Sequence, residues 1–239
     1  MSERFLRFEM LAGKEKVSSL ADKKVIVFGV GGVGGYVCEA LARSGVGRID
    51  VVDNDVVSTS NINRQIIALE STVGRNKTDV VKERLTDINP DIVCNTFNMF
   101  YLPETADEID LSVYDFAVDA IDTVSGKIEI IKRCKQLSVP VVSSMGTGNK
   151  FDPTKIEITD IYKTKGCPLA RVMRNLCKKN GIDKLAVVYS LEEPSKPIFQ
   201  PEQDGDDTVK NRATPASCAF VPPAAGLTIA YYVVNNLMK

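Results

Sequence analysis

Lys24-Val25-Ile26-Val27-Phe28-Gly29-Val30-Gly31-Gly32-Val33-Gly34 joins an apolar, β-branched run to four glycines within six residues, and a stretch of helical period follows at once. A strand, a tight turn and a helix N-terminus in that order let a phosphate approach backbone N–H groups at the positive end of the helix. The next apolar run closes on Val51-Val52-Asp53, the spacing at which an acid meets the ribose hydroxyls of a bound nucleotide. A glycine turn that merely packs helix on strand does not require that spaced acid. Gly29, Gly31, Gly32, Gly34 and Asp53 are therefore candidate nucleotide-binding residues, and the pattern fits NAD or ATP equally.

Outward from this unit, short β-branched runs alternate with helical spacing, the signature of βαβ units and a mainly parallel sheet. Strands are expected near Lys24–Gly29, Arg48–Asp53, Ile92–Phe97, Asp115–Ala120 and Pro140–Ser144. Helices are expected at Glu9–Leu20, Gly32–Ser44, Thr72–Ile88, Pro103–Ile109 and Val124–Leu137. Beyond Met145 the pattern loosens to isolated strands at Ile156–Asp160 and Leu185–Ser190, a basic helix near Pro168–Asn180 and a terminal helix from Ala224. The fold class read from this is α/β: a Rossmann-like, doubly wound, mainly parallel sheet with an antiparallel C-terminal extension. Four prolines and several acids between Glu193 and Pro215 read as a flexible loop, with a loop crossing the active site as the functional alternative.

Composition narrows the chemistry. The 239 residues are 44% hydrophobic and 26% charged, enough for one large globular domain and little more. The N-terminus lacks the layout of a secretory signal, and the most apolar stretch, Cys218 to Met238, is interrupted by Pro222-Pro223 and Asn235-Asn236. A cytoplasmic protein is expected, its terminal helix packed on the sheet or against a partner subunit. The absence of histidine excludes His-based acid–base chemistry, Ser-His and Cys-His nucleophiles and His metal ligands. The six cysteines form no C-x-x-C pair, so no zinc site or disulfide framework is indicated.

A second set of polar residues separates the two nucleotides. After Asp55 come Ser60-Asn61-Ile62-Asn63-Arg64-Gln65 and then Val73-Gly74-Arg75-Asn76-Lys77. Hydride transfer has no specific need of further cations near the ribose acid, whereas charge developing on an α-phosphate and a departing pyrophosphate does. The fourth strand then delivers Asp119-Ala120-Ile121-Asp122 to the carboxyl edge of the sheet, where ligands of open α/β folds bind and where one acid can hold Mg²⁺ against phosphates. Taken singly, Arg64 or Lys77 could be a solvated charge and Asp122 a helix cap.

Those segments, with Asp53-Asn54-Asp55 and Ile88-Asn89-Pro90, resemble in order the adenylation domain of the ubiquitin-activating-enzyme-like superfamily. The resemblance implies that Asp53 binds ribose, that Arg64 and Lys77 contact phosphates, and that Asp122 acts at Mg²⁺ and the α-phosphate. Asp55, Asn61, Asn63 and Gln65 fall within the same nucleotide-binding motifs. It also implies a homodimer in which an N-terminal arginine of Arg4-Phe5-Leu6-Arg7, preferentially Arg7, reaches the partner's ATP site. Residues 1–239 then form one adenylation domain, with a nucleotide-binding core over 1–160 and an extension over 161–239.

Val142–Lys150, Asp160–Thr164 and Pro168-Leu169-Ala170 further resemble the tRNA threonylcarbamoyladenosine dehydratase branch of that superfamily. This implies ATP-dependent adenylation of the threonyl carboxylate, attack by an atom of the substrate's own carbamoyl group, ring closure and release of AMP. No enzyme nucleophile is required. The rival is an enzyme that adenylates the C-terminus of a ubiquitin-like sulfur-carrier protein, and a sulfur-transfer partner is conceivable for Cys167 in Lys165-Gly166-Cys167-Pro168, against a buried or helix-capping thiol.

Charge favours the tRNA branch. Ile161 to Lys184 holds seven basic residues and one acid, net +6, while the remainder of the chain carries −7. Such segregation is the footprint of a polyanion site on an acidic protein. On the basic helix, Leu169, Val172, Met173 and Leu176 are read as the core face. Arg171, Arg174 and Lys178 share another face, and with Lys163 and Lys165 they are candidate tRNA contacts. A merely solvated face is the alternative.

Overall fold

A computed structural model describes residues 3–199 and 215–239. The first strand, β1 (Lys24–Phe28), buries four of its five residues, and alternate side chains enter different cores. Val25 and Val27 face one side of the sheet, Ile26 and Phe28 the other. A strand buried on both faces must be apolar throughout, which is why β1 reads as a continuous run.

Among the described residues, seven strands follow the order β3-β2-β1-β4-β5-β7-β6. These are β2 (Arg48–Val52), β3 (Thr96–Phe97), β4 (Phe116–Asp119), β5 (Val141–Ser144), β6 (Ile156–Asp160) and β7 (Ala186–Ser190). All neighbours pair in parallel except β6 with β7. The fold class is as expected, with one refinement: β7 joins the parallel sheet beside β5, and only β6 runs against it.

One face is covered by α3 (Gly34–Ser44), α4 (Lys77–Ile88) and α7 (Val221–Leu237), the other by α5 (Val124–Gln136) and α6 (Pro168–Lys179). The terminal helix packs on α3 and the sheet within its own chain. Gly226 makes this crossing possible, because a Cβ there would stand 2.5 Å from the Val33 carbonyl oxygen. Among the described residues no helix is long and apolar enough to cross a membrane.

Several expected boundaries are corrected. The N-terminal helix is two, α1 (Leu6–Ala12) and α2 (Lys14–Ser19), divided at Gly13 with φ +92°. The α4 helix begins at Lys77, since Gly74 at φ +85°, its N–H donating to the Val57 carbonyl, and the Val57 N–H donating to the Arg75 carbonyl hold residues 73–76 in a loop. Pro103–Ile109 forms only a short 3-10 turn at Ala106–Glu108. There the Thr105 hydroxyl accepts from the Leu102 N–H and donates to the Phe100 carbonyl, so it competes for the groups a helix would use. The third strand shrinks to two residues because Asn95 turns its N–H and side chain to Asp50. The terminal helix starts at Val221, earlier than Ala224, because Pro222 and Pro223 occupy first-turn positions that need no N–H donor. Of the loop expected at Glu193–Pro215, residues 200–214 lie outside the described residues.

Candidate active site

The carboxyl ends of β1, β2 and β4 open onto a cavity of about 550 Å³. Its floor is the glycine turn. Gly29 takes φ +83° against the Ala120 carbonyl, 2.8 Å from where a Cβ would lie. Gly31 and Gly32 line the cavity, whereas Gly34 does not: a Cβ on Gly34 would meet the Gly29 carbonyl oxygen at 1.7 Å. Gly34 therefore packs helix on strand rather than lining the ligand space.

Asp53 stands at the end of β2, where its carboxylate accepts from the Val30 N–H at 2.8 Å and the Asp55 N–H at 2.9 Å. Burial pushes this carboxyl up, and Lys77 with the two N–H groups only partly offsets that. Lys77 is 5% exposed and donates to Asp55 at 2.6 Å, which removes the solvated-charge reading for it. One of its three N–H donors is thereby engaged. Arg64 uses Nη1 on the Ser60 carbonyl at 2.8 Å and on Asn63 Oδ1 at 3.0 Å, leaving Nε and Nη2 without a partner among the described residues. Asn61, Gln65 and Asp55 also line the cavity, and Gln65 Oε1 is a buried acceptor with no hydrogen bond among the described residues. Asn63 does not line it. Asn63 instead donates to the Ser217 carbonyl at 3.1 Å.

The two acids at the carboxyl end of β4 divide their work. Asp119 is fully buried, 2.9 Å from the Lys127 ammonium, and accepts from Ser143 Oγ at 2.5 Å. Asp122 is exposed at the cavity wall, and no hydrogen bond or ion pair among the described residues engages its carboxylate. The cap position of α5 belongs to Thr123, so the helix-cap reading of Asp122 fails. Of the pair, Asp122 alone has a carboxylate available to a metal or phosphate.

The sequence reading missed three contributors. Lys127 donates to Asp119 at 3.0 Å, to the Ile121 carbonyl at 3.0 Å and to the Ser144 carbonyl at 2.8 Å, tying the loop after β4 to the end of β5. Phe100 and Tyr101 supply an aromatic wall, with Tyr101 ringed against Phe28 at 4.6 Å. Thr147 and Gly148 face Pro215, Ala216 and Ser217 across the mouth, held by a two-way bond of Asn149 with Ala216. Only the Asn149 position carried a local signal, an asparagine directly after Gly146-Thr147-Gly148, and it takes φ +60°.

Of the remaining candidates, Arg7 is exposed on α1 and does not line this cavity. On α6 the core face is Ala170, Met173 and Cys177, while Val172 is 44% exposed. Spacing had placed Val172 inside, but α6 meets the sheet one residue round the helix. Arg174 is half-buried and bonds the Thr164 hydroxyl and, at 2.8 Å, its carbonyl, so it is a structural donor as well as a cation. Lys163, Lys165, Arg171 and Lys178 are exposed. Cys167 is 4% exposed at the N-cap position of α6, where its thiol makes no capping hydrogen bond, so it answers to the buried alternative and not to the capping one.

Comparison with known proteins follows the same lines. Residues 3–237 match the ThiF family. The chain belongs to the ThiF family. Among relatives of this ThiF-family chain, a tRNA threonylcarbamoyladenosine dehydratase of Bacillus subtilis is 44% identical over all of this chain and 96% of its own length. The crystal structure of the E. coli tRNA N6-threonylcarbamoyladenosine dehydratase TcdA in complex with ATP superposes with a TM-score of 0.88 at 32% identity, covering 99% of this chain and 94% of that one. The adenylyltransferase and sulfurtransferase UBA4 of Candida glabrata is 37% identical over only 62% of this chain and 34% of its own length.

Proposed function

We propose that this chain is an ATP-dependent adenylating enzyme that dehydrates threonylcarbamoyladenosine in tRNA. The carrying observation is one cavity in which the glycine turn, Asp53, Arg64, Lys77 and an uncommitted Asp122 converge, on a chain similar to dehydratases along its whole length. The similarity to the adenylyltransferase and sulfurtransferase UBA4, by contrast, covers 62% of the chain.

The residues divide the work by chemistry. Gly31 and Gly32 admit phosphates to the N-terminal end of α3, and Asp53, braced by two N–H donors, presents oxygen to ribose hydroxyls. Arg64 and Lys77 retain free donors toward the α-phosphate and the leaving pyrophosphate, where positioned cations act on developing charge. Asp122 would hold Mg²⁺, which when bound neutralises phosphate charge. Adenylation makes the threonyl carboxylate an electrophile, and attack by the substrate's carbamoyl group closes the ring and expels AMP. Phe100 and Tyr101 and the loop around Pro215–Ser217 shield that step from water.

Assembly completes the reading. Leu6, Met10 and Leu11 on α1 are 51%, 80% and 84% exposed, an apolar face that a second copy covers, and the same helix carries Arg7 toward the partner's cavity. Residues 1–239 act as one adenylation domain in the cytoplasm, and a sulfur-transfer partner finds no accessible thiol at Cys167. Substitution tests the catalytic roles: Arg64→Ala and Asp122→Ala should each lower AMP formation about 10²–10³-fold while the protein stays folded. Near-normal turnover of Asp122→Ala would remove it from the chemistry.

A further inference from the structure

A second cavity, of about 350 Å³, opens where the last turn of α5 meets the turn from Asn180 to Lys184. Lys132, Lys135 and Lys184 line it together with Gln136, Asn180 and one acid, Asp183. Topology fixes its place. The α5 helix returns from the carboxyl end of β4 and stops before β5, and the 180–184 turn precedes β7. The cavity therefore sits at the amino edge of the sheet, opposite the nucleotide cavity.

The rim is rigid. Ile182 N–H donates to the Cys177 carbonyl at 2.9 Å, Gly181 turns at φ +66°, and the Tyr162 hydroxyl donates to the Ile182 carbonyl at 2.5 Å. Lys132 is paired with Glu129 at 2.9 Å, but the ammonium groups of Lys135 and Lys184 make no hydrogen bond or ion pair among the described residues, nor do those of Lys178 and Lys179 beside them. Asp160, the other nearby acid, spends its carboxylate on the N–H groups of Tyr162 and Leu185.

Cations in the last turn of a helix complement its dipole, and that alone accounts for Lys135, Lys178 and Lys179 taken one at a time. It does not account for Lys184, which lies in the turn, or for two helix ends converging on one concave site. The α6 helix also links this site to the first. Its cap, Cys167, lies against Gly146, which leads into Thr147 and Gly148 of the nucleotide cavity. Twelve residues later it ends at the basic cavity, a span of roughly 18 Å at 1.5 Å per residue, with Arg171 and Lys178 exposed along one face.

We propose that the amino-edge cavity is a phosphate-binding pocket for the tRNA backbone, seating the body of the RNA while its modified nucleotide occupies the other end of α6. This rests on the tRNA reading above. Lysine point charges without an Arg fork suit several weak backbone contacts rather than one tightly held anion. The chain outside Ile161–Lys184 is net −7, and Lys132 and Lys135 are cations of that remainder which the fold brings up against the basic segment.

The test is a Lys135→Gln/Lys184→Gln variant of the full chain, with tRNA affinity followed against salt. Two lost phosphate contacts should flatten the log–log slope by about 1.4 to 1.8, at 0.7 to 0.9 each. The KM for modified tRNA should rise several-fold, with ATP affinity and kcat at saturating tRNA unchanged. Lys16→Gln/Lys82→Gln, exposed and elsewhere, changes net charge equally and should leave the slope as in wild type. A double variant that tracks wild type, or a control that flattens the slope as much, overturns the pocket alone. A wild-type protein that binds no tRNA overturns the pocket and the functional reading together.

Discussion

Replacing Lys127 by Met tests how the site is braced. Lys127 and Asp119 are both wholly buried, and all three ammonium hydrogens are used, on Asp119, Ile121 and Ser144. Methionine fills much of the same volume but leaves the Asp119 carboxylate with the Ser143 hydroxyl as its remaining side-chain partner. Breaking a buried pair on one side costs about 3–5 kcal/mol, because an uncompensated charge stays in the interior. For a chain of this size each kcal/mol lowers Tm by roughly 2–4 °C, so a fall of about 6–20 °C is expected. Because Ile121 lines the nucleotide cavity, ATP affinity should weaken as well. Thermal unfolding with and without ATP reads both effects. Lys127→Met/Asp119→Leu, which removes the orphaned charge, should recover part of the stability. A single variant within about 1 kcal/mol of wild type would refute the brace.

Other consequences are directly measurable. Since burial pushes Asp53 up, ATP affinity should weaken on acidification at a pH above the ordinary aspartate range, and calorimetry on Asp53→Asn should show no such acid limb. Asp50 feels burial first, which pushes it up, but the donors Arg48, Tyr114 and Asn95 together hold it below the usual range. Its folded pKa thus lies below its unfolded one, so its stabilisation is present above the unfolded value and lost as pH falls through the folded value. Urea midpoints of Asp50→Asn should depend less on pH in that acid window than those of wild type. Mixing Arg7→Ala with Asp122→Ala subunits should restore part of the activity, since mixed dimers contain one site with both residues; no recovery despite proven subunit exchange would confine Arg7 to its own subunit or exclude it.

What the sequence disclosed was local. The glycine turn, Asp53 and the alternating cores of β1 follow from spacing within one βαβ unit, and Gly29, Gly31, Gly32 and Asp53 line the cavity while Gly34 does not. Arg64, Lys77 and Asp122 were placed by ordered motifs, and chain topology brings them to one sheet edge. Lys127 was not legible, because a lysine in a helical stretch reads as solvated until Asp119 and the Ser144 carbonyl are seen to surround it. The mouth formed by Thr147, Gly148 and Pro215–Ser217 joins segments more than sixty residues apart, a contact no periodicity encodes. Arg174 looked equivalent to Arg171 at helical spacing, but only one of them meets the Thr164 backbone. The basic cavity likewise needed α5 beside the 180–184 turn, since Lys132 and Lys135 lie outside the +6 segment.

The most direct measurement is incubation of the protein with ATP, Mg²⁺ and tRNA carrying threonylcarbamoyladenosine, with AMP followed by chromatography and the nucleoside by mass spectrometry. Stoichiometric AMP release and a modified nucleoside lighter by one water are predicted, both slowed about 10²–10³-fold in Asp122→Ala. An unchanged nucleoside, with AMP formed only when a ubiquitin-like carrier C-terminus is supplied, would contradict the account.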